Sequence, residues 1–191
     1  MNASRVTMAL AGLTLGASQL SRRQEAAESA EAGDTTLRAI CILDSRTAQK
    51  ATGIVRFEQE SAFARTKIRG DFTGLTPNHL HGFHIHTFGD LSNGCLTAGP
   101  HWNPHGHTHA GPDDEARHVG DLGNVQSDGE GKGVYETTDG LVTLFGAHSV
   151  IGRSCVLHEK TDDLGRGGNA ESLKTGNAGA RIACGVIGRS A

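Results

Sequence analysis

The residues of this 191-residue chain best equipped for chemistry are its eleven histidines, all lying between His79 and His158. His84 and His86 stand in the segment GFHIH, Gly82 to His86. If that segment is a strand, residues two apart point to one side and the two imidazoles project together as a chelating pair. A surface strand can also carry two histidines by chance. The following stretch adds His101 in GPHWNP, then His105, His107 and His109, then His118 and Asp121 in HVGD. His158 ends a later apolar run and is followed by Glu159 and Lys160. The set offers many ring nitrogens and at least one carboxylate. Imidazole suits zinc and copper, whereas calcium prefers oxygen ligands. Histidine-rich loops also occur as plain solvated surface or as adventitious metal traps, and His105 and His107 fit that description.

Short strands are the elements that must position these side chains. Leu37 to Leu43, Gly53 to Gln59, Phe63 to Phe72, His81 to His86, Gly120 to Gln126, Gly133 to Thr138, Ser154 to Lys160 and Arg181 to Ile187 read as strands bounded by polar or glycine-containing turns. No helical periodicity persists for three turns. Close spacing with glycine at the joints predicts an all-β antiparallel sandwich or barrel. Two long, weakly apolar stretches, Asp90 to Arg117 and Thr161 to Ala180, read as loops; long loops in a compact domain are usually functional or disordered, and the histidines of the first weigh against disorder there.

Composition narrows the function classes. Lys and Arg total 18 against 21 Asp and Glu, a formal charge of −3 that gives no general attraction to nucleic acid or acidic membrane. Aromatic residues make up 4%, too few for a base-stacking platform. The 27 glycines have no three-residue period, which excludes collagen. Four cysteines are too few for a disulfide-dense mini-protein. No apolar run reaches the ~18 residues needed to span a bilayer. Residues 1–35 read as a targeting segment and linker outside the fold, and 36–191 as a single domain. A start with Arg5, then the mildly apolar Val6 to Ala17, then Arg22 and Arg23, resembles a secretory signal, and its acid-free, Ser-containing composition also suits an organelle transit peptide. The expected destination is therefore extracellular or organellar, with the cytoplasm as the alternative.

GFHIHTFGD (Gly82 to Asp90), GPHWNP (Gly99 to Pro104), HVGDLGN (His118 to Asn124) and GNAGARIACGVIG (Gly176 to Gly188) together resemble the copper–zinc superoxide dismutase family. The resemblance runs from about Leu37 to Gly188, with the motifs in the family's order. It implies an eight-stranded Greek-key β-barrel or sandwich carrying one copper and one zinc per subunit. His84, His86, His101 and His158 would hold copper. His101, His109, His118 and Asp121 would hold zinc, so that His101 bridges the two ions. His105 and His107 are extra to this set and could compete with His109, which the spacing to His118 and the following Ala-Gly-Pro favour. Asp162 would link a copper histidine to a zinc histidine, although taken alone it reads as a turn residue.

The implied activity is disproportionation of superoxide to dioxygen and hydrogen peroxide. The implied catalytic residues are His101, whose bridge breaks on the copper side and takes up a proton, and Arg181, which guides the anion. Thr175 would narrow the same channel, and Lys174 and Lys160 match basic positions at its entrance. The resemblance pairs Cys95 with Cys184, 89 residues apart, for which loop entropy gives roughly 4.5 kcal/mol. Cys41 and Cys155 read as small buried residues, with pairing of all four as the alternative. The family further implies a homodimer, through Phe88-Gly89, Ile151-Gly152 and Val186-Ile187-Gly188, and loading by a copper chaperone. Arg189 stands near where the family commonly has an apolar residue. Rival readings are a copper-delivery protein, which would be expected to have a Cys-x-x-Cys site absent here, a non-catalytic metal store, and a two-zinc hydrolase.

Overall fold

The computed structural model describes residues 35–45 and 50–191. The targeting segment expected over the first 35 residues lies outside them, save Thr35. Among the described residues nine strands form: β1 (Leu37–Ser45), β2 (Thr52–Gln59), β3 (Thr66–Thr73), β4 (Leu80–His86), β5 (Ser92–Cys95), β6 (Asp121–Gln126), β7 (Gly133–Asp139), β8 (Ser154–His158) and β9 (Arg181–Ser190). One helical turn, α1 (Ser172–Thr175), and a 3-10 turn at Leu96–Ala98 complete the elements of the described residues.

Eight strands join in the order β6-β4-β8-β9-β1-β2-β3-β7, every pairing antiparallel. The two edge strands nearly meet, since a single bridge joins Ser127 to Gly133. The ten-residue β9 pairs with β8 on one side and β1 on the other, so it ties the two halves together. Crossovers between non-neighbouring strands give the expected Greek-key barrel.

Strict alternation makes the walls. β3 is buried at every second residue, from Thr66 to Phe72, and exposed between them. The interior sides meet in an aromatic seam, with Phe83 5.4 Å edge-on to both Phe72 and Tyr135. Tyr135 stays in this core because its hydroxyl donates to the Leu122 carbonyl at 2.8 Å.

β1 and β9 run on to Ser45 and Ser190, past the expected Leu43 and Ile187, where they pair with each other, and two strands are shorter than expected. β3 begins at Thr66 because the chain turns at Ser61–Ala64, held by Ala64 N–H to Ser61 O at 3.1 Å, and leaves Phe63 fully exposed. β8 ends at His158, where the register against β9 slips between Leu157 and His158. The short β5 and α1 fall inside the two long segments read as loops, and β5 lies outside the eight-stranded sheet.

Candidate metal centre

β4 explains how the histidines reach one place. Its odd residues, such as Phe83 and Ile85, enter the barrel core, while His84 and His86 point to the other side. That side is still buried, because the two long loops fold over it: His84 is 0% and His86 1% exposed. His101 joins them through an isolated bridge between its backbone and that of His86, and His158 arrives at the end of β8. One potential ligand atom from each of His84, His86, His101 and His158 lies within 4.8 Å of the others. The same holds for His101, His109, His118 and Asp121. His101 belongs to both groups.

Hydrogen bonds fix which nitrogen of each ring faces the centre. His86 Nδ1 donates to the Gly99 carbonyl at 2.8 Å, and His158 Nδ1 to the Gly179 carbonyl at 3.2 Å. Their Nε2 atoms are left facing each other at 3.3 Å. Two imidazole lone pairs at that distance suit a shared cation. His101 Nδ1 lies 2.8 Å from Asp121 Oδ1, while its Nε2 is buried without a partner. His84 Nε2 meets Asp162 Oδ2 at 2.8 Å, and its Nδ1 is likewise buried and partnerless. His109 Nε2 meets Asp162 Oδ1 at 2.8 Å; its Nδ1 lies 2.9 Å from Asp121 Oδ1 without the alignment of a hydrogen bond. Buried nitrogens are seldom left unsatisfied. Three of the five orphans among the described residues, His84 Nδ1, His101 Nε2 and His109 Nδ1, belong to rings of the two groups, which is the pattern a pair of metal ions completes; the other two are His81 Nε2 and Trp102 Nε1. The donor set of imidazoles and one carboxylate fits copper and zinc.

The electrostatics agree. Without metal, burial and the neighbouring imidazoles of His101 and His158 hold His84 and His86 well below the usual histidine range. Burial, reinforced by His101, takes His158 down to about 3. These rings stay neutral, the form that ligates. Burial also opposes a charge on His109, but its contacts with Asp121 and Asp162 outweigh it and raise it to about 9. Burial works against ionisation of Asp121 too, and His101, His109 and His118 nevertheless hold it far below the carboxylate range.

The family model described as Copper/zinc superoxide dismutase (SODC) matches residues 51–187. The chain belongs to the copper/zinc superoxide dismutase family. A Cu-Zn superoxide dismutase of Cordyceps militaris is 60% identical over 152 residues, covering 80% of this chain and 97% of that protein. One from Neurospora crassa is 62% identical over 138 residues, 72% of this chain and 90% of that protein. Copper and zinc are the metals of this oxidoreductase family, and both histidine groups fit them.

A cavity of about 1120 Å³ opens onto the centre and is lined by His86, His101, His158, Lys174, Thr175 and Arg181, among others. Arg181 is half-buried and fixed by three carbonyls: its guanidinium donates to Cys95 O at 2.7 Å, Gly99 O at 2.8 Å and Leu96 O at 3.3 Å. Thr175 ends α1, its hydroxyl donating to the Glu171 carboxylate at 2.9 Å. Lys160 is not part of the wall. Its stem lies over Gly179, 3.0 Å from where a Cβ would stand, because the chain turns out of β8 just before it. His105 and His107 lie exposed, outside both groups, so His109 takes the position that they could have contested. The disulfide joins Cys95 to Cys184, and Cys41 and Cys155 are buried free thiols.

Several supporting residues escaped the sequence reading. His81 is wholly buried, and its Nδ1 donates to the His158 carbonyl at 2.8 Å. Asn124 clamps the Asp162 backbone from both sides, at 2.9 and 2.8 Å. Arg117, read only as the end of a loop, donates to the carbonyls of His118 at 3.0 Å and Asp121 at 3.1 Å and pairs with Asp139. Glu171 stands in the cavity wall. A histidine three residues before His84 was a signal for His81. For the others, the partners are backbone groups that no spacing displays.

Proposed function

We propose that this chain is a superoxide dismutase that turns two superoxide anions and two protons into dioxygen and hydrogen peroxide. We assign copper to His84, His86, His101 and His158, and zinc to His101, His109, His118 and Asp121, one of each per subunit. The observation that carries the reading is His101. Its Nδ1 sits among the zinc-type ligands, and its Nε2 is left for the copper-type group.

Bound copper supplies the one-electron couple that the two half-reactions need, and zinc has no such couple. The chain's own residues do the rest. Arg181 presents a permanent charge and a fork of donors to a small anion in the cavity. Lys174 adds a second charge at the wall, and such a local positive field raises an anion's arrival rate even on a chain of net charge −3. Thr175 limits the width beside Arg181. With Nδ1 held by Asp121, Nε2 is the atom at which His101 holds a proton and delivers it to a reduced oxygen species. Asp162 keeps His84 and His109 in their ring orientations by bonding the far nitrogen of each, as outer partners of metal ligands do.

The active unit is a homodimer built on the patch of Phe88, Ile151 and Val186, and a copper chaperone is the metal donor; the burial of every copper ligand supports delivery by a protein. Residues 1–35 direct the chain out of the cytoplasm, and N-terminal sequencing of protein recovered from the source cells tests this by finding them absent. For the activity, the protein loaded with copper and zinc is expected to speed the decay of superoxide followed by its ultraviolet absorbance. His101→Ala is expected to lose most of that acceleration. Fully loaded protein that leaves the decay at its spontaneous rate overturns the reading.

A further inference from the structure

Three histidines that the buried centre does not use gather on the surface beside it. His105 and His107 lie on the turn after His101, and His148 comes from the separate connection between β7 and β8. All three are exposed. The ring centroids of His105 and His148 are 5.3 Å apart and those of His105 and His107 are 6.2 Å apart. In the buried copper-type group the corresponding separations run from 4.0 Å for His84 and His101 to 6.4 Å for His84 and His86. Two imidazoles on one zinc-sized ion put their ring centres roughly 5 Å apart. Two of the three ring pairs are thus spaced like ligands, while the three donor nitrogens do not converge within 4.8 Å as those of the buried groups do. We propose that His105, His107 and His148 form a second, solvent-facing site that binds one divalent transition-metal ion of the cupric or zinc class.

The backbone on both sides is already set. Asn103 clamps His107, its Oδ1 accepting the His107 N–H at 3.1 Å and its Nδ2 donating to the His107 carbonyl at 2.8 Å. Across the gap, Val150 N–H donates to Thr143 O at 2.9 Å, the Ser149 hydroxyl to Leu144 O at 2.9 Å, and Arg153 Nε to Ser149 O at 3.0 Å. Binding asks only that exposed rings turn about their side-chain torsions. The three donors are all imidazole nitrogens, which selects copper or zinc over magnesium or calcium. His107 also lines the cavity that holds His101 and His118, so the ion sits at the outer lip of that cavity. This site uses no ligand of the buried centre, and the inference stands whether or not the chain dismutates superoxide.

Trp102 is the chain's only tryptophan, and its ring lies 6.2 Å from that of His148. It is a built-in reporter for a paramagnetic ion. Protein with its buried centre filled with copper and zinc, freed of excess metal, is titrated with cupric chloride. The expected result is quenching of Trp102 fluorescence that saturates at one further ion per chain, with calorimetry giving the same stoichiometry. In the His105→Asn, His148→Asn double variant the quenching is lost and the further ion binds at least tenfold more weakly, while the buried metal content is unchanged. A filled parent protein that takes up no further ion, or a double variant that binds it as tightly as the parent, overturns the proposal.

Discussion

One carbonyl, that of Gly99, serves two side chains at once, accepting from His86 Nδ1 and from the Arg181 guanidinium at 2.8 Å each. Gly99 has φ +76° and a Cβ there would meet the Phe88 ring at 2.7 Å, so the position needs glycine. The Arg181 charge and a ring of the copper-type group are thereby held by the same atom, yet the proposed roles separate them. Arg181→Ala is expected to lower kcat/KM about tenfold and to flatten its dependence on ionic strength, since one steering charge is gone. Both metals should remain at parental stoichiometry, which elemental analysis of the same samples checks. A second expectation concerns the metal-free protein. His158, depressed to about 3, takes up no proton in the folded state as pH falls below ~6.5, whereas the unfolded chain does, so stability drops by about 1.4 kcal/mol per pH unit down to that value. His109, raised to about 9, acts in the opposite sense: its contribution is complete below ~6.5 and is lost as pH rises through 9. The urea midpoint of the metal-free chain should therefore peak near neutrality and decline on both sides, and filling the centre should flatten the alkaline limb because the metal replaces the proton. At this scale the members of both buried histidine groups were legible in the motifs. His81, Asn124 and Arg117 were not, because they act on backbone atoms whose positions exist only after folding.

At the level of elements, the long loops are held over β4 by devices inside the loops themselves. Arg117 is the main one. It is 3% exposed, pairs with Asp139 at the end of β7, and gathers the carbonyls of His118 and Asp121. Asp139 in turn accepts the Leu141 and Val142 N–H groups at 2.7 and 2.8 Å. Removing one partner of such a pair leaves a buried charge without compensation. Arg117→Met is expected to destabilise the metal-free protein by about 3–5 kcal/mol in urea unfolding and to loosen zinc, seen as faster loss to a chelator. Gly176 plays a matching part at the other loop. Its φ is +64°, and a Cβ there would collide with the Asp162 carboxylate and approach His109 Nε2 to 2.5 Å. The eight barrel strands were readable because alternation and glycine-bounded turns are properties of contiguous residues. β5 and α1, four residues each, are shorter than any period that could announce them. They form because the disulfide from Cys95 and the contacts of Ser172 with Asp163 and Gly167 pin them.

Among the apolar side chains that the described residues expose, those of Phe88 and Val186 touch the centre indirectly. Phe88 is 55% and Val186 43% exposed, large fractions for side chains of this kind. Ile151-Gly152 lies between them: Gly152 N–H donates to Ile187 O at 2.8 Å, and a Cβ on Gly89 would stand 3.2 Å from Val186. The three segments named by the family resemblance are thus one surface. Covering it with a second copy removes the exposed rings and branched chains from water at roughly 25 cal/mol per Å². In the proposed dimer Arg189, exposed at the end of β9, would bring a like charge toward its symmetry mate and weaken the contact. The ring of Phe88 packs on Gly99, so a partner pressing on that ring stiffens the carbonyl that holds His86 and Arg181. Sedimentation equilibrium of the loaded protein is expected to give a dimer, and Phe88→Glu with Val186→Glu a monomer that retains both metals. The monomer should also show a lower kcat/KM, because the Gly99 carbonyl has lost its outer support. A parental chain that sediments as a monomer at high micromolar concentration would exclude the dimer, and a doubly substituted monomer with undiminished kcat/KM would sever the link from interface to Arg181.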